Sequence, residues 1–233
     1  MLPGGADDNH LQLPERATEA EPTPRVLTIL SSVLEKLVAR NDRLAVSLSE
    51  ETEEQGLSWG CAAPVGKSLD AFHGVRAPSI SIGKYLERIY KYTNCSPACF
   101  VVGYVYIDRL LHRHPDSLVL SLNVHRLLVT SVMVASKMLD DVHYNNAFYA
   151  RVGGVSNVEL NKLELELLFL LDFGVSVSSR VFESYCLHLE REMLLAAQKL
   201  QKPPPPSSNG PTALQNQKPP EDARSSPAPS MAD

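Results

Sequence analysis

The stretch SLNVHRLLVTSVMVASKML, residues 121–139, is apolar on nearly every side when wound as a helix. A surface helix confines its apolar residues to one stripe, whereas a helix apolar all round has neighbours on every side. The pattern predicts a central helix enclosed by others. Near its end stands Lys137, a charge that enclosure makes costly unless a partner or the helix C-terminus compensates it.

The segments on either side read as helices too. ISIGKYLERIYKY, about 80–92, ends in polar Thr93 and Asn94. Ser96-Pro97 starts the next, serine as cap and proline in the first turn, and His114-Pro115 stops it. After the central helix, a short helix at about 145–151 closes at Gly153-Gly154. Ser156 or Asn157 caps a further helix that ends at Phe173-Gly174, and a last one covers about 178–200. Upstream, RVLTILSSVLEKLVARNDRLAV (25–46) sets Val26, Leu30, Val33, Leu34, Leu37 and Val38 at helical spacing. The acidic connection after it holds the lone tryptophan, Trp59, and an apolar pair, Leu69 and Phe72. It reads as a strap over the core. No segment alternates as a strand does, so the fold class is all-α.

Composition narrows function. Residues 1–23 and the proline-rich 203–233 lack hydrophobic periodicity and read as disordered tails. A net charge of -5 leaves no basic footprint for nucleic acid. No apolar run approaches the ~20 residues a membrane helix needs, and the acid- and proline-bearing start is no secretory signal. Cys61, Cys95, Cys99 and Cys186 lack the spacing of a disulfide framework or zinc site and read as reduced thiols. That suits the nucleus or cytoplasm. There is no phosphate-cradling glycine loop, nucleophile elbow or HExxH. No catalytic residue, cofactor or metal is expected. Asp140, Asp141 and His143 are a polar turn, since adjacent donors do not converge on an ion without distant help.

Three charges sit where simple amphipathic helices would not put them. On a wheel turning about 100° per residue from Leu160, Glu164 falls near about 40°, among Leu163, Leu167, Leu170 and Leu171. Glu159, Lys162 and Glu166 fall on the polar side. Glu164 is either a rim glutamate bending to water or a site residue. Asp108 shares a face with Val101, Tyr104, Val105 and Leu111, which predicts an internal pair tying two helices together. Lys137 joins Arg126, Thr130 and Met133 on a mixed stripe suited to a partner.

YIDRLL (106–111), VTSVMVASKMLDD (129–141) and ELNKLELELLFLLDF (159–173) together resemble the cyclin box. The match is nearest to plant P/U-type cyclins, relatives of fungal phosphate-pathway cyclins. APSISIGKYLERIYKYTNCSP (77–97) and DDVHYNNAFYARVGGVS (140–156) support it. The resemblance implies a single five-helix box, within 72–190, that includes the start of the C-terminal helix. Before it come the tail (1–23) and an N-terminal helix with the acidic connection (24–71); after it come the end of the C-terminal helix (191–202) and the second tail (203–233). It implies a non-enzymatic regulatory subunit of a cyclin-dependent kinase, in cell-cycle or nutrient control. Lys137 and Glu164 would hold the kinase's regulatory helix, with Leu160, Leu168 and Met133 supplying apolar surface and Asp108 bracing the box. The MRxxLxDW opening of animal cell-cycle cyclins is absent from SISIGKYLERIYKY, so Asp108 needs another partner than that arginine. The rival reading is a cyclin-fold adaptor for a transcription factor or scaffold.

Overall fold

In the computed structural model, which describes residues 23–54 and 67–201, every residue from Leu127 to Ser136 is buried. These belong to α4 (Val124–Leu139), the helix expected at the centre. Its interior hydroxyls cost little to bury because the helix itself satisfies them. Thr130 Oγ1 donates to the Arg126 carbonyl at 2.7 Å and Ser131 Oγ to the Leu127 carbonyl at 2.7 Å.

Around α4 stand α2 (Ile82–Thr93), α3 (Pro97–Arg113), α5 (Asn146–Gly153) and α6 (Asn157–Leu170). The closest packing is α3 on α4, and Gly103 explains it. A Cβ there would lie 3.3 Å from the Val132 amide nitrogen and 3.2 Å from its Cγ2, so any side chain would press the two helices apart by a few tenths of an ångström. α1 (Arg25–Glu54) covers α2 and α3 with Leu27, Leu30, Leu34 and Val38, all buried. α7 (Ser179–Gln201) lies against α1 and α3. Between α1 and α2, the 3-10 helix Lys67–Phe72 plugs Leu69 and Phe72 into the core against α6 and α4. Among the described residues there are seven α-helices and no strand.

Local signals account for most boundaries. Ser156 Oγ accepts the Glu159 amide at 3.1 Å, and Gly154 ends α5 at φ 72°. Three expectations need correction. α4 starts at Val124, not 121, because the Asn123 side chain folds the preceding turn; it accepts from the Leu120 amide and donates to the Leu118 carbonyl. Ser96 sits at the N-cap of α3 but its hydroxyl makes no capping bond, meeting the Cys99 sulfur at 3.3 Å instead. α1 runs to Glu54, so the acidic connection begins as helix, in keeping with the good helix propensity of its glutamates. Trp59, Cys61 and both tails, 1–22 and 202–233, lie outside the described residues.

Candidate functional site

The C-terminal end of α4 is tied down first. Asp140, just past it, accepts hydrogen bonds at 3.3 Å from the Ser96 amide, the Cys99 thiol and the Ser136 hydroxyl. The Cys99 thiol, hydrogen-bonded to Cys95 and buried, is pushed well above its ordinary range and stays a proton donor. Asp140 is thus a staple between α4 and α3. Among the described residues no three His, Cys, Asp or Glu side chains group as a metal site, and no helix is long and apolar enough to cross a membrane.

One turn back, Lys137 Nζ donates to Glu164 Oε1 at 2.6 Å. Their side chains are 29% and 18% exposed, so the pair is neither buried outright nor freely solvated. The second oxygen of Glu164 accepts from Asn146 Nδ2 at 2.6 Å, and Asn146 also donates to Asn161 Oδ1 at 2.8 Å. Three helices, α4, α5 and α6, therefore meet at one carboxylate. Sequence reasoning marked Lys137 and Glu164 separately and missed Asn146. The sequence signal was the Asn145-Asn146 doublet. Asn145 caps α5 by accepting the Phe148 amide at 3.0 Å, which leaves the second asparagine free to reach Glu164.

Glu164 marks the seam of α6. Leu160, Leu163, Leu167 and Leu171 fill the core on one side, while Val158, Leu165 and Phe169 stand exposed on the other. Met138 and Leu139, next to Lys137 in the chain, are exposed as well. After α6, Asp172 and Phe173 take left-handed backbones at φ 50° and 54°. That conformation costs a non-glycine residue about 1 kcal/mol or more. The reversed chain is held by Tyr106, which donates to the Val175 carbonyl at 2.8 Å, and by Arg109 Nη1, which donates to the Gly174 and Ser176 carbonyls. The strain leaves Phe173 exposed and edge-on to Phe169, ring centroids 5.3 Å apart. Large exposed apolar side chains thus stand on the two helices that carry the half-buried ion pair.

The apolar contributors differ from the expectation. Leu160 and Met133 are both 0% exposed, so neither can touch a partner; Leu168 is half-buried. The stripe of Arg126, Thr130 and Met133 likewise turns inward. Arg126 is spent on internal bonds, to Glu159 Oε1 at 2.6 Å and to the His73 carbonyl, which also draws Glu159 off the solvated face where the wheel put it.

Asp108 finds its partner on α7. Its Oδ2 accepts the Tyr185 hydroxyl at 2.5 Å, with His112 Nδ1 3.4 Å away. Burial, and then the hydrogen bond to Asp108, push the Tyr185 hydroxyl above its ordinary range, so it remains the donor. The aspartate is half-buried and braces α3 against the C-terminal helix. Tyr185→Phe is expected to lose about 1 kcal/mol of stability, since the carboxylate regains some water. A urea titration matching the unsubstituted chain would refute that bond.

The comparisons agree with this architecture. The family model described as Cyclin matches residues 24–175. Cyclin-U1-1 of Arabidopsis thaliana is 70% identical over 197 residues, covering 84% of this chain and 87% of its own length. Cyclin-P4-1 of Oryza sativa subsp. japonica is 46% identical over 185 residues, 79% of this chain and 80% of that one. Cyclin-U4-1 of Arabidopsis thaliana is 48% identical over 171 residues, 73% and 77% of the two chains. With the helical box, the matched span and these relatives in agreement, the chain belongs to the cyclin family.

Proposed function

We propose that this cyclin is a non-catalytic subunit that binds and activates a cyclin-dependent Ser/Thr kinase, serving cell-cycle or nutrient control. The observation that carries the reading is the Lys137–Glu164 pair, held across α4 and α6 on helices that also bear exposed Met138, Leu139, Leu165 and Phe169. The pair has bonding capacity to spare. Among the described residues only one Lys137 ammonium proton is engaged, and each Glu164 oxygen keeps a second lone pair. Kinase backbone near the regulatory helix would give carbonyls to Lys137 and amides to Glu164. The apolar rim would supply most of the affinity.

Activation follows from differential binding. A kinase whose regulatory helix rests outside its active pose needs about 5.5 kcal/mol of preference for the inward pose to move from 1:99 to 99:1. The docking face supplies that preference if its contacts form only with the inward pose.

Asn146 sets the Glu164 rotamer in this scheme. Asn146→Ala is expected to weaken kinase binding about 5-fold while leaving the melting temperature within about 2 °C. Unchanged affinity would remove Asn146 from the site. The proposal itself is tested by calorimetric titration against a panel of purified cyclin-dependent kinases. Binding to at least one with Kd near 1 μM or tighter is expected. No binding to any would favour the adaptor reading.

A further inference from the structure

The outer face of α2 carries Lys84, Arg88 and Lys91 at i, i+4 and i+7, which brings all three to one side of the helix. They line a groove of about 430 Å³ with Glu87 and Tyr92. Among the described residues none of the three cations has a carboxylate partner. Arg109, Arg113 and Arg126, by contrast, are all committed to carbonyls or carboxylates. Arg88 makes one long bond, 3.4 Å from Nη2 to the Arg151 carbonyl, and its enclosed Nε has no acceptor. A guanidinium carries five donors; with Nε enclosed and one Nη2 proton engaged, three on Nη1 and Nη2 are uncommitted among the described residues. Glu87 is the lone acid lining the groove and, among the described residues, forms no ion pair. The result is three positive charges against one negative, on a chain whose net charge is -5.

We infer that this groove is a docking site for a phosphorylated serine or threonine in an extended peptide. A planar guanidinium takes two phosphate oxygens at once, and two flanking ammonium groups balance the dianion. A single carboxylate would use only part of that charge. The stripe spans about 10 Å of helix, long enough for one phosphate and its neighbouring residues. A polynucleotide would need a longer basic track and would meet repulsion from the acidic remainder of the chain. The walls are preorganised, because Tyr85 on the inner face of α2 donates to the Gly153 carbonyl at 2.9 Å and fixes α2 against α5. Tyr92 also lines it, with its ring centroid 5.8 Å from the Lys91 ammonium. The groove shares no helix with Lys137 and Glu164. The site would recruit proteins that already carry a phosphate.

The full chain is titrated with a fluorescein-labelled Gly-Ala-Gly-phosphoserine-Gly-Ala-Gly peptide, followed by anisotropy, beside its unphosphorylated twin and an oligouridylate. The phosphopeptide should bind at least about 10-fold tighter than the twin. Lys84→Ala/Lys91→Ala, both exposed positions, should remove most of that margin, as should Arg88→Gln. Glu87→Gln should tighten binding about 2-fold by deleting the opposing charge. Lys137→Ala/Glu164→Ala should change nothing, which separates this site from kinase docking. Equal binding of phosphorylated and plain peptide, no binding up to about 1 mM, or a phosphate preference that survives Lys84→Ala/Lys91→Ala would overturn the proposal. Tighter binding of the oligouridylate would reassign the groove to nucleic acid.

Discussion

Lys137→Ala/Glu164→Ala is expected to weaken kinase binding by about 100-fold or more, a loss near 3 kcal/mol. The size comes from what the partner loses. Kinase backbone groups buried at the seam would have neither water nor Lys137 and Glu164 to satisfy them, and an unsatisfied buried group is the expensive outcome. The fold itself should barely register the change. The two side chains are 29% and 18% exposed, and a pair with that access to water contributes about 1 kcal/mol or less to stability. The single variants are informative in their own right. Lys137→Ala leaves Glu164 held by Asn146 alone, with its charge uncompensated, whereas the double variant removes both charges. The two single losses should therefore sum to more than the double. Circular dichroism and calorimetric affinity on the three variants check this. A double variant that binds like the unsubstituted chain would remove the pair from the interface.

Gly103→Val should have the largest effect on stability, a loss of about 3 kcal/mol. The new branches would enter a gap where even a single Cβ stands 3.3 Å from the Val132 nitrogen and 3.4 Å from the Ser131 carbonyl carbon. Both are backbone atoms of the most enclosed helix, so no side chain can rotate away to make room. α3 must move off α4 instead. That displacement would spread to Asp140, whose three hydrogen bonds couple the start of α3 to the end of α4, and so to Lys137. Thermal unfolding should fall by roughly 6–12 °C for a chain of this size. Kinase affinity should fall too, even though Gly103 is fully covered. Stability within about 1 kcal/mol of the unsubstituted chain would show that the α3–α4 contact has more slack than these distances allow.

These two variants also show what could be read from the sequence and what could not. The enclosure of α4 was legible because an all-round apolar helix has no other way to exist in water. Leu69 and Phe72 were legible as an apolar pair in an acidic stretch, and both are fully buried. Glu164 stood out because a carboxylate in an apolar arc demands a partner. The resemblance assigned it and Lys137 to one site, but their bond to each other was not legible, since a wheel orients each helix only against itself. The same limit explains Met133 and Leu160. Both lie near the marked charges in angle, yet neighbouring helices cover them completely. Arg126 read as part of a partner-facing stripe and Glu159 as a polar-face charge for the reverse reason: their bond joins α4 to α6 across a gap that no single-helix pattern reveals. Asn146 was hidden by its neighbour, because either asparagine of the doublet could have been the cap. The exposed rim needed the three-dimensional structure, as apolar residues on the outer face of α6 read in sequence as more core.

The most direct test is the initial rate of histone phosphorylation by a purified cyclin-dependent kinase that binds the chain. The rate is compared for the kinase alone, with saturating unsubstituted chain, and with Lys137→Ala/Glu164→Ala at the same concentration. A rise of about 100-fold with the unsubstituted chain and little or none with the double variant is the predicted result. A kinase that is saturated by the unsubstituted chain yet phosphorylates no faster would contradict the account, leaving a cyclin that docks without activating.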